Sequence, residues 1–212
     1  MSQFFNLHPT HPEARLIKRA VAIVREGGVI VYPTDSCYAL GCHIGDKHAM
    51  ERIRKIRDVD ERHHFTLVCR DLSEIGIFAK VDNAQYRLLK AHTPGSYTFI
   101  LKATRELPRR LAHPKRASIG VRVPDHPATH ALLAELNEPL LSSTLILPGD
   151  AEPLNDAETI RKRLEHQVDL ILDGGACGVA PTSVIDLSQD EPVLVRAGKG
   201  DVTAFGFARE AA

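Results

Sequence analysis

A chain of 212 residues with 43% hydrophobic and 25% charged residues can bury one sizeable core and is too apolar for a disordered tail. Lysine plus arginine equals aspartate plus glutamate at 27 each, which excludes a uniformly basic surface, so any polyanionic partner must meet a local patch. The longest apolar runs are only a few residues, the start MSQFFNLHPTHPEAR lacks an apolar h-region, and four scattered cysteines form no C-x-x-C pair, so no membrane span, secretion signal, zinc ribbon or disulfide scaffold is expected, and the expected compartment is a reducing cytoplasm.

The first predicted element is a helix in PEARLIKRAVAIVREGG, with apolar residues from Leu16 to Val24 on a helical period and Gly27 suited to end it. Val29 to Tyr32 then reads as a strand, and DKHAMERIRKIR as a helix with Asp46 as N-cap and Met50, Ile53 and Ile56 facing inward. Strands follow at Phe65 to Cys69, Tyr97 to Lys102, Ile119 to Val123, Leu140 to Thr144, Leu170 to Leu172, Ser183 to Leu187 and Val193 to Arg196. Helices fit between them around Ala84 to Ala91, Ala128 to Leu136 and Ala157 to His166. The alternation, without repeats or a low-complexity linker, predicts a single α/β domain over residues 1–212, with a twisted mixed sheet flanked by helices.

Polar residues cluster where predicted strands and helices end. In VIVYPTDSCYALG, Thr34, Asp35 and Ser36 follow a buried strand, where open α/β sheets bind ligands; Pro, Asp and Ser are also common turn formers. Lys55 and Arg57 close the second helix, and such a pair can grip one anion if the helix stops there, or simply complement the helix dipole. Ser142, Ser143 and Thr144 end an apolar run, where hydroxyls could cap a helix or hydrogen-bond a phosphate. Arg122, set in an apolar strand, needs an anionic partner, either Asp35, Asp125 or a ligand carboxylate. Thr182 and Ser183 lead into one strand and Arg196 ends another. The histidines, including His63 with His64 and His8 with His11, lack acidic or cysteine neighbours at metal-ligand spacing and read as solvated loop residues. AGKGD is not a P-loop and DGGACG is not G-x-G-x-x-G, so a nucleotide would be held by side chains gathered from several strand ends.

Taken in order, YPTDSCYALG, KIR, PGSYTFIL, IGVRVPDHP, PLLSSTLILPG and PTSVIDL with VLVRAG resemble the YrdC/YciO family, which includes the threonylcarbamoyl-AMP synthases of tRNA threonylcarbamoyladenosine modification. The resemblance runs from Leu16 to Gly200 and is nearest to the YciO branch, given MSQFF and CRDLSE. It implies a YrdC-like fold with a concave basic surface and a nucleotidyltransferase that uses ATP with Mg²⁺, bicarbonate and L-threonine. It also implies affinity for tRNA or double-stranded RNA, for which Lys55, Arg57, Arg54, Arg109 and Arg110 are the candidates. By the same matching, Thr34, Arg122 and Ser183 would bind L-threonine, and Ser142, Thr144 and Arg196 the nucleotide. Lys55 and Arg57 would meet the phosphates and offset their developing charge as the catalytic cations.

Two departures from the synthase pattern stand out. Asp58 occupies the position of a proline, and Thr144, Leu145 and Ile146 replace Ser-x-Asn, so weakened or altered ATP handling is expected, through a carboxylate beside Arg57 and a lost polar anchor. The alternative function is an RNA-binding or ribosome-associated module that keeps the fold without efficient catalysis.

Overall fold

Ten strands form one mixed sheet in the order β1-β8-β2-β3-β7-β4-β6-β5-β9-β10 in the computed structural model, which describes residues 1–61 and 63–208. In chain order the elements are β1 (Gln3–Asn6), α1 (Ala14–Arg25), β2 (Ile30–Tyr32), β3 (Ala39–His43), α2 (Lys47–Arg57), β4 (Thr66–Val68), α3 (Leu72–Phe78), α4 (Asn83–His92) and β5 (Tyr97–Lys102). They continue with a short 3₁₀ turn (Arg109–Leu111), β6 (Ser118–Arg122), α5 (Pro127–Leu136), β7 (Leu140–Thr144), α6 (Ala157–Leu164), β8 (Leu170–Asp173), β9 (Ser183–Asp186), β10 (Val193–Arg196) and a second 3₁₀ turn (Thr203–Phe205).

The expected α/β architecture is what forms, and every strand and helix named from the sequence is present to within a few residues. Three elements escape the sequence pattern: β1, β3 and α3. Asp46 caps α2 as expected, accepting from Ala49 N at 2.8 Å, and Gly27 lies beyond α1 at φ +88, where a side chain would be strained.

Side-chain alternation along the strands assigns the two faces. Val29 and Val31 pack with α2, α3, α4 and α6 in one apolar layer, whereas Ile30 and Tyr32 pack with α1 and α5 in the other. The second layer joins β1, β8, β2 and β3 with Val68 of β4 and Leu140 of β7. Further along that same face the side chains are smaller and more polar. A register row runs Gly41, Ser142, Thr66, Gly120 and Ile100 across β3, β7, β4, β6 and β5. Gly41, Ser142, Thr66 and Gly120 leave room above the sheet, and a Cβ on Gly120 would already stand 3.3 Å from Thr66 Oγ1 and Thr98 Cγ2. No helix among the described residues is long and apolar enough to cross a membrane.

Candidate functional site

That space is a cavity of about 470 Å³, in the range of small-molecule sites. Thr66, Thr98, Ser118, Ser142 and Thr182 supply hydroxyls, Arg57, Arg122 and Arg196 supply guanidinium groups, and His63, His64 and His113 stand along one side. Among the described residues no carboxylate lines the cavity. Burial is the largest influence lowering the pKa of Arg57, with the Arg196 charge next, and burial likewise leads for Arg196, with Arg122 contributing in the same direction. Arg57 and Arg196 form no ion pair with a described carboxylate, which favours an anionic ligand beside them, whereas Arg122 and Arg116 of the same lining are paired with Asp35 and Asp186.

Arg122 answers the question of its partner. Its Nη2 donates to Asp35 Oδ1 at 2.5 Å, and both side chains are 9% exposed. Ser36 Oγ lies 3.4 Å from Arg122 Nη2 and 3.1 Å from Thr34 Oγ1, which ties the PTDS loop to the guanidinium. Ser96 Oγ donates to the other oxygen of Asp35 at 2.7 Å, and Lys199 Nζ donates to the Asp35 carbonyl. The buried Nε of Arg122 has no hydrogen-bond partner among the described residues.

The other expected residues divide. Arg57, Arg122, Ser142, Thr144 and Arg196 line the cavity together. Ser142 Oγ bonds Tyr32 Oη at 2.6 Å, and Arg196 donates through Nε and Nη2 to the Thr182 carbonyl at 3.1 and 2.9 Å. Thr34 is buried just behind the lining, its Oγ1 donating to Cys37 O at 2.6 Å while accepting from the backbone of Ser36 and Cys37. Ser183 lies outside the lining, donating to Gly200 O at 2.6 Å and accepting from Gly198 N at 3.0 Å. Lys55 is exposed on the last turn of α2 and is also outside the lining.

The departures behave differently from expectation. Asp58 ends α2 at φ 50 and is exposed, while the described bonds of Arg57 go to Ile146, Ser143 and His63 instead. A carboxylate competing directly for Arg57 is therefore not what this helix end builds. Ile146 lines the cavity, and its carbonyl accepts from Arg57 Nε at 3.2 Å. The histidines correct the sequence reading too: His63 and His64 belong to the cavity wall, because the loop after α2 folds back over β7.

Mg²⁺ requires hard oxygen ligands. Among the described residues no cluster of three histidine, cysteine or carboxylate side chains converges as a metal site.

Fold and cavity together define a single-domain α/β protein with an arginine-lined site on the open part of a mixed sheet. The Sua5/YciO/YrdC family model, described as telomere recombination, matches residues 22–198, and the chain belongs to this family. YciO of Escherichia coli (strain K12), an uncharacterized protein, is 60% identical over 205 residues, covering 97% of this chain and all of YciO (100%). A threonylcarbamoyl-AMP synthase of Chromobacterium violaceum is 32% identical over 180 residues, covering 84% of this chain and 92% of the synthase. The crystal structure of E. coli YciO superposes with a TM-score of 0.93 over 97% of this chain and 100% of that one. P. abyssi Sua5 complexed with L-threonine is 24% identical, with a TM-score of 0.85 over 93% of this chain and 58% of Sua5, a likeness of fold.

Proposed function

We propose that the chain binds L-threonine against Arg122 and ATP against Arg57 and Arg196, and joins them through bicarbonate into L-threonylcarbamoyladenylate for tRNA modification. The observation that carries this reading is the convergence of the Arg57, Arg122 and Arg196 guanidinium groups on one cavity. Guanidinium groups bind carboxylate and phosphate oxygens through charge-assisted hydrogen bonds. The 32% identical synthase supports the choice of substrates.

The chemistry then asks for positioning and charge. The threonine nitrogen bonds to the carbon of bicarbonate as water leaves, and an oxygen of the resulting carboxylate bonds to the α-phosphorus of ATP as the bond to pyrophosphate breaks. Arg122 fixes the amino acid, Asp35 and Ser36 fix Arg122, and Arg57 and Arg196 face the charge that builds on the phosphates. Thr34 shapes the PTDS loop, and Lys55, outside the cavity lining, is assigned to the outlying phosphates. Mg²⁺ would arrive on ATP, held by phosphate oxygens and water. No side chain has to form a covalent intermediate.

Pyrophosphate release from ATP and bicarbonate, with and without L-threonine, tests this reading. Threonine-dependent release is expected; equal release in both samples, or none, would move the second reading ahead. That second reading is RNA binding, favoured by the segment from Arg105 to Arg116. It carries Arg105, Arg109, Arg110, Lys115 and Arg116 exposed against one carboxylate, Glu106, and its Leu111, His113 and Arg116 reach the cavity wall. Arg109 and Arg110 of the expected set belong to this patch and Lys55 is exposed elsewhere, whereas Arg54 pairs with Glu51 and lies over Phe65, Arg57 faces inward, and Arg116 within the patch is paired with Asp186.

A further inference from the structure

Arg57 is held on three sides. Its Nε donates to Ile146 O at 3.2 Å, its Nη1 donates to Ser143 Oγ at 2.6 Å, and the same Nη1 lies 3.4 Å from His63 Nε2. Ser143 Oγ in turn lies 2.9 Å from His63 Nε2. One arrangement of protons satisfies the two shorter contacts of Ser143 and leaves the 3.4 Å approach of Arg57 Nη1 to His63 as a van der Waals contact. The Ser143 oxygen accepts from Arg57, its hydroxyl proton goes to His63 Nε2, and His63 keeps its own proton on Nδ1. Nη2 of Arg57 has no hydrogen bond to any described residue, and Arg57 lines the cavity.

We propose that His63, acting through Ser143, is a positioning residue that locks the Arg57 guanidinium and leaves its Nη2 edge for a phosphate of the nucleotide. The nucleotide rests on the function proposed above; the lock itself rests only on the contacts just given. A guanidinium on a free side chain must lose rotamer freedom when it takes an anion, and one already fixed has lost it beforehand. The surroundings keep His63 in the acceptor form that the lock requires. Burial comes first among them, followed by the charges of Arg57, His64 and Arg54, with Asp60 opposing. Ser143 is 6% exposed and sits within β7, so its hydroxyl is held by the sheet and not by a loop.

The test uses His63→Leu, which removes the acceptor, His63→Gln, which can restore one near the Nε2 position, and Ser143→Ala, which removes the link. Nitrogen NMR of the Arg57 guanidinium, assigned with Arg57→Lys, reports rotation about its Cζ–Nη bonds in the full chain. Calorimetry with ATP reports affinity. Hindered rotation is expected in the wild type and free rotation in His63→Leu and Ser143→Ala, with ATP binding weakened about fivefold in those two and within about twofold of wild type in His63→Gln. Free rotation already in the wild type, wild-type rotation and affinity in His63→Leu, or a glutamine variant as impaired as the leucine one would each overturn the lock. Should the wild type bind no ATP, the nucleotide reading falls alone and the rotation measurement still decides the lock. Thermal melting identifies a variant that has not folded, and Ser143→Ala then carries the comparison in place of His63→Leu.

Discussion

Arg122 and Asp35 stand or fall as a pair. With both side chains 9% exposed, removing either leaves the other charge buried without its counterion. Arg122→Leu should therefore lower stability by about 3 kcal/mol, and adding Asp35→Leu should recover part of that loss. Urea unfolding of the two variants checks this, and an equal or greater loss in the double variant would contradict it. His63 gives a second prediction at the same scale. Burial foremost, with the Arg57 charge, pulls its pKa from 6.5 down to about 4. Below 6.5 the unfolded chain takes up a proton that the folded chain refuses, so this residue's contribution is intact above that pH and is lost as pH falls toward 4. His63→Gln should consequently flatten the fall in stability across that window, measured by urea unfolding at several pH values; an unchanged slope would count against the assignment. Arg57, Arg122, Ser142, Thr144 and Arg196 were legible in the sequence as polar residues at strand and helix ends, and the family resemblance supplied their roles. His63 was not, because its surroundings are made by Arg57 and by Ser143, 80 residues away along the chain.

At the scale of elements, the end of α2 decides how Arg57 is presented. Asp58 adopts φ 50 and donates its N–H to Lys55 O at 3.2 Å. Proline can satisfy neither condition, so Asp58→Pro should destabilise the protein by more than about 1 kcal/mol, whereas Asp58→Gly should stabilise it by a few tenths to about 1 kcal/mol. Thermal melts of the two variants should move in opposite directions. Introducing the proline expected from the synthase pattern is therefore not a simple reversal here. The elements that the sequence hid share a dependence on distant partners. β1 pairs with β8, about 167 positions onward at Gln3 and Leu170, so nothing local marks it. β3 contains Gly41, a weak strand former, yet a Cβ there would meet Leu140 at 2.5 Å and Tyr32 at 2.8 Å, so close packing between β2 and β7 demands glycine. α3 spans seven residues with Gly76 inside it, too short and too interrupted to announce itself as a helical period. Long uninterrupted elements such as α1 and β5 were legible because their own alternation carries the signal.

On the scale of the whole molecule, one face of the sheet is covered by helices on the side of β1, β8, β2 and β3 and carries the cavity further along, at β4, β6, β5 and β9. A ligand seated there contacts strands from both halves of the sequence and should stabilise the domain as a unit. L-threonine and ATP together at about a hundredfold above their dissociation constants should add about 2.7 kcal/mol per site, a rise in Tm of several degrees for a domain of this size. If RNA binds the exposed rim from Arg105 to Arg116, its affinity should fall steeply with salt, since each phosphate contact releases counterions. Filter binding that stays level between low and physiological salt would remove that partner. The measurement that bears most directly on the proposed function is mass spectrometry of the nucleotide product formed from ATP, L-threonine and heavy-carbon bicarbonate. L-threonylcarbamoyladenylate carrying the heavy carbon is expected, and its loss in Arg122→Lys that remains folded. An adenylate without the label, or no adenylate from a folded chain that binds both substrates, would contradict the proposed function.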